Sequence, residues 1–203
     1  MTGIAGTTMS MTYHREIELV FDVASFQPHQ PNSRIDLWYI ADNRDTDPEP
    51  KTADKDFFVE SIRDHVRALP QSRTKVHDVL RIVSEAWDKC NFVSSQVKHI
   101  NVTFPTIVCK TSDSTVAVKS SLLLVPLETR VEVTLKMQGR GGPEGVIIGI
   151  SPEAKVLYGE TFNIAKIKEF ISTRIGEAVG AKEEAWSNVL VELHQKLIAR
   201  GKK

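Results

Sequence analysis

The spacing of apolar residues along this chain changes three times between a period of two and a period of three to four. That alternation confines the fold to sheets with one buried face, covered by helices. From Met9 to Val23 the odd positions Met9, Met11, Tyr13, Ile17, Leu19, Phe21 and Val23 are apolar, a pattern that suits one long strand or two strands joined near His14. A further strand is expected from Ile35 to Ala41. Two or three strands alone are marginal in water, and helical spacing follows at once in Phe58, Ile62, Val66 and Leu69. Thr52 or Asp54 is placed to cap this helix, Pro70 to stop it, and Ser72 to cap the next.

The second helix carries Val76, Val79, Val83, Ala86, Cys90, Val93, Val97 and Ile100 on alternating three and four steps, the spacing of a coiled-coil seam. Leu80 and Trp87 widen the stripe towards that of a helix lying on a sheet, so both a partner helix and packing within the chain suit the pattern. Strand grammar then returns at Val102 to Lys110, Thr115 to Val125, Thr129 to Gln138 and Val146 to Ile150, with Lys155 to Tyr158 extending or following the last. In the third of these, Val131, Val133, Leu135 and Met137 alternate with Arg130, Glu132, Thr134 and Lys136, which predicts one wet and one buried face. Short links fit an antiparallel meander, with Gly139 to Gly145 read as a flexible hairpin loop. Two helices close the chain, one with Ile164, Ile167, Ile171, Ile175 and Ala178, the other with Trp186, Val189, Leu190, Leu193 and Leu197; Gly180 punctuates between them.

Composition narrows the function classes. Lys and Arg total 26 and Asp and Glu total 26, so no global positive field exists to hold a nucleic-acid backbone or an anionic membrane. The longest apolar run, Leu122 to Leu127, is far below the ~20 residues of a spanning helix, and the reading is a soluble chain. Cys90 and Cys109 lie inside apolar patterns and are too few for a disulfide framework. No metal-ligand spacing occurs, the glycine-rich stretch Gly139 to Gly145 lacks the lysine of a phosphate loop, and no cofactor is expected.

Strands then two helices, repeated, make a structural repeat without sequence repetition. Helix, four-stranded meander, helix, helix is also the element order of the RWD fold, a non-catalytic relative of the ubiquitin-conjugating enzymes. Glu16 to Asp22, Trp38 to Asn43 with Pro48 and Pro50, Phe57-Phe58, Leu69-Pro70-Gln71-Ser72, Val83, Trp87-Asp88 and Leu122-Leu123-Leu124 resemble the C-terminal tandem RWD region of the large kinetochore scaffold subunit of the KMN network, called blinkin in animals, in its fungal branch. The expected fold is α+β, with two RWD-like units in tandem: a first, trimmed at its start, over 1–88, and a second over 89–203, with a shared helix over 72–100 spanning the junction.

The resemblance implies a non-catalytic adaptor of the nucleus and kinetochore that docks the scaffold onto the centromere-side MIND complex through a subunit's C-terminal peptide. A Zwint-like coiled-coil partner would bind outside this fragment, and neither nucleic acid nor membrane is a direct partner. An RWD adaptor of ubiquitin ligation or translational-stress signalling is the alternative, and a ubiquitin-conjugating-like enzyme a remote one. That chemistry needs a thiol on an exposed loop beside a His-Pro-Asn motif; Cys90 falls on a helix seam, Cys109 in a strand, and the motif is absent. For partner binding, odd positions facing the helices would leave Val20, Trp38 and Ile40 on the opposite sheet face. The strand from Met9 to Phe21, with Ile17 and Leu19, would form an open edge for an extended peptide.

Overall fold

A computed structural model describes residues 2–5, 8–22, 35–40, 52–69, 75–112, 115–142, 145–177 and 185–201. Its architecture is α+β, with two antiparallel four-stranded sheets and four helices among the described residues. The chain divides into two compact units, one of Met1–Cys90 with Gly139–Ile148, the other of Asn91–Gln138 with Gly149–Lys203.

In the first unit, strands β1 (Thr2–Ala5), β2 (Thr8–Tyr13), β3 (Ile17–Asp22) and β4 (Ile35–Tyr39) lie in sequential order. The Met9–Val23 pattern is thus two strands, turned at His14 and Arg15, whose φ angles of 50° and 60° are those of a type I′ turn, which matches the right-handed twist of the flanking strands. Register sets Tyr13 opposite Ile17, Met11 opposite Leu19, and Leu19 opposite Leu37. Ile17, Leu19, Leu37 and Tyr39 are buried together with Phe57, Phe58, Ile62 and Val66 of α1 (Ala53–Ala68). Thr52 occupies the cap position of α1 without a side-chain bond, and Asp54 lies within its first turn. Leu69 ends the helix in an extended conformation, as a residue before proline should; Pro70 and Ser72 lie outside the described residues, as does the whole stretch from Ala41 to Pro50.

Helix α2 (Val76–Thr103) runs three residues past the expected end at Ile100. Val102 and Thr103, expected in a strand, complete its last turn, and the Asn101 side chain accepts the Thr106 amide at 3.2 Å as the chain leaves the helix. The seam residues Val79, Val83, Ala86, Cys90, Val93, Val97 and Ile100 are buried within the chain.

Strands β5 (Thr106–Ser112), β6 (Thr115–Leu124), β7 (Thr129–Gly142) and β8 (Gly145–Tyr158) form the expected meander, which belongs to the second unit apart from Gly139–Ile148. Val131, Val133, Leu135 and Met137 are buried, as their alternation required. The stretch from Gly139 is not a long loop: β7 continues to Gly142 and β8 starts at Gly145, and the two residues between lie outside the described residues. Helices α3 (Ile164–Glu177) and α4 (Ala185–Gly201) close the unit. Buried Gln96 accepts the Trp186 amide at 2.9 Å, fixing the start of α4 against α2.

Candidate functional site

Hairpin β2–β3 and helix α2 enclose a cleft of about 290 Å³ within the first unit. Its floor is the two cross-strand pairs Met11–Leu19 and Tyr13–Ile17, whose side chains share one face by strand alternation. Its wall is Leu80, Arg81 and Ser84, consecutive on one flank of α2 because three- and four-residue steps return to the same side of a helix. The lining is mostly apolar, and Arg81 is its one cation, tied to Glu85 at 3.2 Å. The cleft thus combines an apolar floor with a single charge at its wall.

The end of the cleft is held by the β2–β3 turn. Tyr13 donates its phenolic hydroxyl to Asp88 at 3.0 Å; burial, and then this bond to the carboxylate, raise the tyrosine pKa. Glu16 accepts from the Trp87 indole at 3.0 Å and from the Lys55 ammonium group, while its carbonyl accepts the Ile40 amide at 2.7 Å. Burial pushes the Glu16 pKa up, but the bonds from Lys55 and Trp87 outweigh it and leave the carboxyl below its ordinary value. For Lys55, the same pairing outweighs burial and raises the pKa. One turn residue thereby ties the hairpin to both α1 and α2.

The sequence-derived surface residues divide. Val20 and Trp38 lie on the sheet face opposite the buried Ile17, Leu19 and Leu37, as parity predicts. Trp38 is half-buried and donates its indole N–H to Glu18, its cross-strand partner, at 2.9 Å. Ile40 does not join them. The strand ends at Tyr39, the period-two rule lapses there, and Ile40 turns into the interior with 7% exposure. The edge-strand expectation for Met9–Phe21 also fails, because β1 pairs with β2 along Thr8–Met11 and β3 lies between β2 and β4. Ile17 and Leu19 therefore offer side chains to the cleft floor rather than free backbone to a ligand. The other outer strand, β4, is capped by Arg63, which donates to the Leu37 carbonyl at 2.8 Å, a common guard against strand addition.

Met11, Tyr13, Arg81 and Ser84 were not singled out from sequence as binding residues; the only hint was Leu80, standing off the α2 seam. Cys90 is fully buried in α2 and Cys109 is half-buried in β5, so neither thiol is placed as a conjugating enzyme requires. Among the described residues, no group of His, Cys, Asp and Glu side chains is arranged to hold a metal ion, and no helix is long and apolar enough to cross a membrane.

A family model described as the Knl1 RWD C-terminal domain matches residues 1–94. This part of the chain is similar to that family. The match bears out the resemblance to the kinetochore scaffold, and it spans every residue of the cleft, from Met11 on β2 to Ser84 on α2. No curated protein and no solved structure matches the chain.

Proposed function

We propose that the chain is a non-catalytic adaptor that docks a kinetochore scaffold onto the centromere-side MIND complex by binding the C-terminal peptide of one of its subunits. The observation that carries this reading is the apolar cleft between hairpin β2–β3 and α2, lying wholly inside the stretch matched by the Knl1 RWD domain. Leu80, Met11 and Tyr13 take an apolar side chain of the peptide, and Arg81 faces its carboxylate. Two RWD-like units in tandem, sharing the long helix, complete the proposal; the division of the chain at Cys90 and Asn91, inside α2, supports it. Kinetochore recruitment is the cellular consequence.

The test is a calorimetric titration of the chain with the C-terminal tails of the MIND subunits, repeated with Leu80→Glu and with Trp38→Ala. Both residues are incompletely buried, so both variants should fold. Binding of one tail, lost in Leu80→Glu and kept in Trp38→Ala, is the expected result. Loss in Trp38→Ala alone would move the site to the opposite sheet face, and no binding by any tail would overturn the proposal.

A further inference from the structure

The large apolar side chains left exposed among the described residues are Val102, Ile107, Leu123, Val125, Leu157 and Tyr158. All belong to the second unit, and five of the six come from strand ends or the turn that share one end of its sheet. In the antiparallel order β5-β6-β7-β8, the start of β5 (Ile107), the end of β6 with the following turn (Leu123, Val125) and the end of β8 (Leu157, Tyr158) are neighbours. Strand alternation divides the faces. Val118, Leu122, Leu124, Val131 and Leu135 are buried, so Lys119 and Leu123 on β6, and Arg130 and Glu132 on β7, point to the open side. Ile107 is paired with Lys119 and Leu123 with Arg130. Lys155 bonds Glu132 at 2.9 Å, which puts Leu157, two residues on, on the same open side beside Arg130.

Next to these aliphatic groups the open face sinks into a trough of about 480 Å³, floored by small side chains such as Ala117 and Thr134. Lys110, Lys119, Lys136 and Lys155 line it against only Glu132 and Glu153. Both carboxylates are already held within the sheet, Glu153 by Lys136 at 2.8 Å and Glu132 by Lys155. In a chain whose charges cancel overall, this face carries an excess of cations together with exposed aliphatic groups.

We infer that the open face of the second sheet is a docking surface for an extended acidic segment carrying bulky apolar side chains. Its carboxylates would meet Lys119 and Arg130, and its apolar groups would cover Leu123, Leu157 and Ile107. Charge and apolar area together decide against the other occupants. A twofold pairing of two copies would oppose the same cations, and a phosphate backbone carries no apolar side chains to cover Ile107, Leu123 and Leu157. The surface is separate from the β2–β3 cleft and stands whether or not that cleft binds a peptide.

The experiment is amide chemical-shift titration of the whole chain with a blocked peptide of glutamates interrupted by phenylalanine and leucine. Its glutamine counterpart and a single-stranded oligonucleotide serve as comparisons. Saturable shifts at Ile107, Lys119, Leu123, Arg130 and Leu157 are expected. They should weaken about tenfold with the glutamine peptide, or with Lys119→Glu combined with Arg130→Glu, as two or three partly exposed charge pairs dictate, and they should persist in Leu80→Glu. Lys119 and Arg130 are exposed, and an otherwise unchanged spectrum will establish that the double variant is folded. Shifts confined to the cleft, equal binding of the glutamine peptide, saturation of the face by the oligonucleotide alone, no saturable shift, or self-association abolished by Leu123→Ser without peptide binding would each overturn the inference.

Discussion

Replacing Glu16 tests whether one turn carboxylate holds the cleft hairpin onto both helices. Trp87 is fully buried, and its indole N–H has Glu16 as acceptor at 3.0 Å. Glu16→Ala leaves that donor unsatisfied, which costs about 1–3 kcal/mol. It also strips the counter-ion from Lys55, whose side chain is only 14% exposed. Breaking a fully buried pair costs about 3–5 kcal/mol, but Glu16 retains 28% exposure, so water screens part of that term. The expected total is about 2–4 kcal/mol. Glu16→Gln keeps an oxygen for the indole and loses only the charge, so its cost should be about half as large.

Urea unfolding followed by tryptophan fluorescence reads both variants, and a double-mutant cycle with Lys55→Met isolates the ion pair. The pH dependence has a fixed sign. Because the folded-state pKa of Glu16 lies below its ordinary value, the native state binds that proton less readily than the unfolded chain does. The stabilisation is present above the ordinary carboxylate pKa of about 4.3 and is lost as pH falls through the folded value. The difference between the wild type and Glu16→Gln should therefore be constant near neutrality and shrink in acid. A Glu16→Ala cost below about 0.5 kcal/mol, the range of a surface substitution, or a zero coupling with Lys55 would refute the reasoning.

Two further substitutions probe other parts of the fold. Gly159 sits at φ 95°, where an added Cβ would meet Thr129 Oγ1 at 2.2 Å; that hydroxyl donates to the Leu127 carbonyl and accepts the Glu160 amide. Gly159→Ala should destabilise the chain by about 2–4 kcal/mol, measurable by thermal unfolding. His65 is 9% exposed, its Nε2 has no hydrogen-bond partner, and burial lowers its pKa. The unfolded chain therefore takes up the proton first, and His65 destabilises the fold as pH drops below about 6.5; His65→Leu should flatten the stability profile between pH 7 and 5 in urea titrations.

What the sequence made legible was whatever depends on periodicity with one neighbour. The β2–β3 alternation, the α1 stripe ended before Pro70, the buried face of β7 and the two closing helices all follow from side-chain spacing against a single covering layer. Readings failed where a neighbour or a chain turn decided the outcome. Strand β1 is four residues, Thr-Gly-Ile-Ala, too short and too small to alternate, and missing it left β2 and β3 as a false edge. Val102 and Thr103 are β-branched and follow an apolar helix, so propensity favoured a strand, while the backbone continued its helical bonds to Phe104. Ile40 kept the parity of Trp38 in sequence but not in space, because its amide turns to the Glu16 carbonyl. The cleft was illegible for the same reason: it needs the register of two strands and the flank of a helix placed on them.

The measurement that bears most directly on the adaptor account is hydrogen–deuterium exchange of the chain with and without the tail that binds it. The account predicts added protection over Met11–Leu19 and over Leu80–Ser84, with the Trp38 strand unchanged. Protection confined to β4, or none in the first unit despite saturating tail, would contradict it.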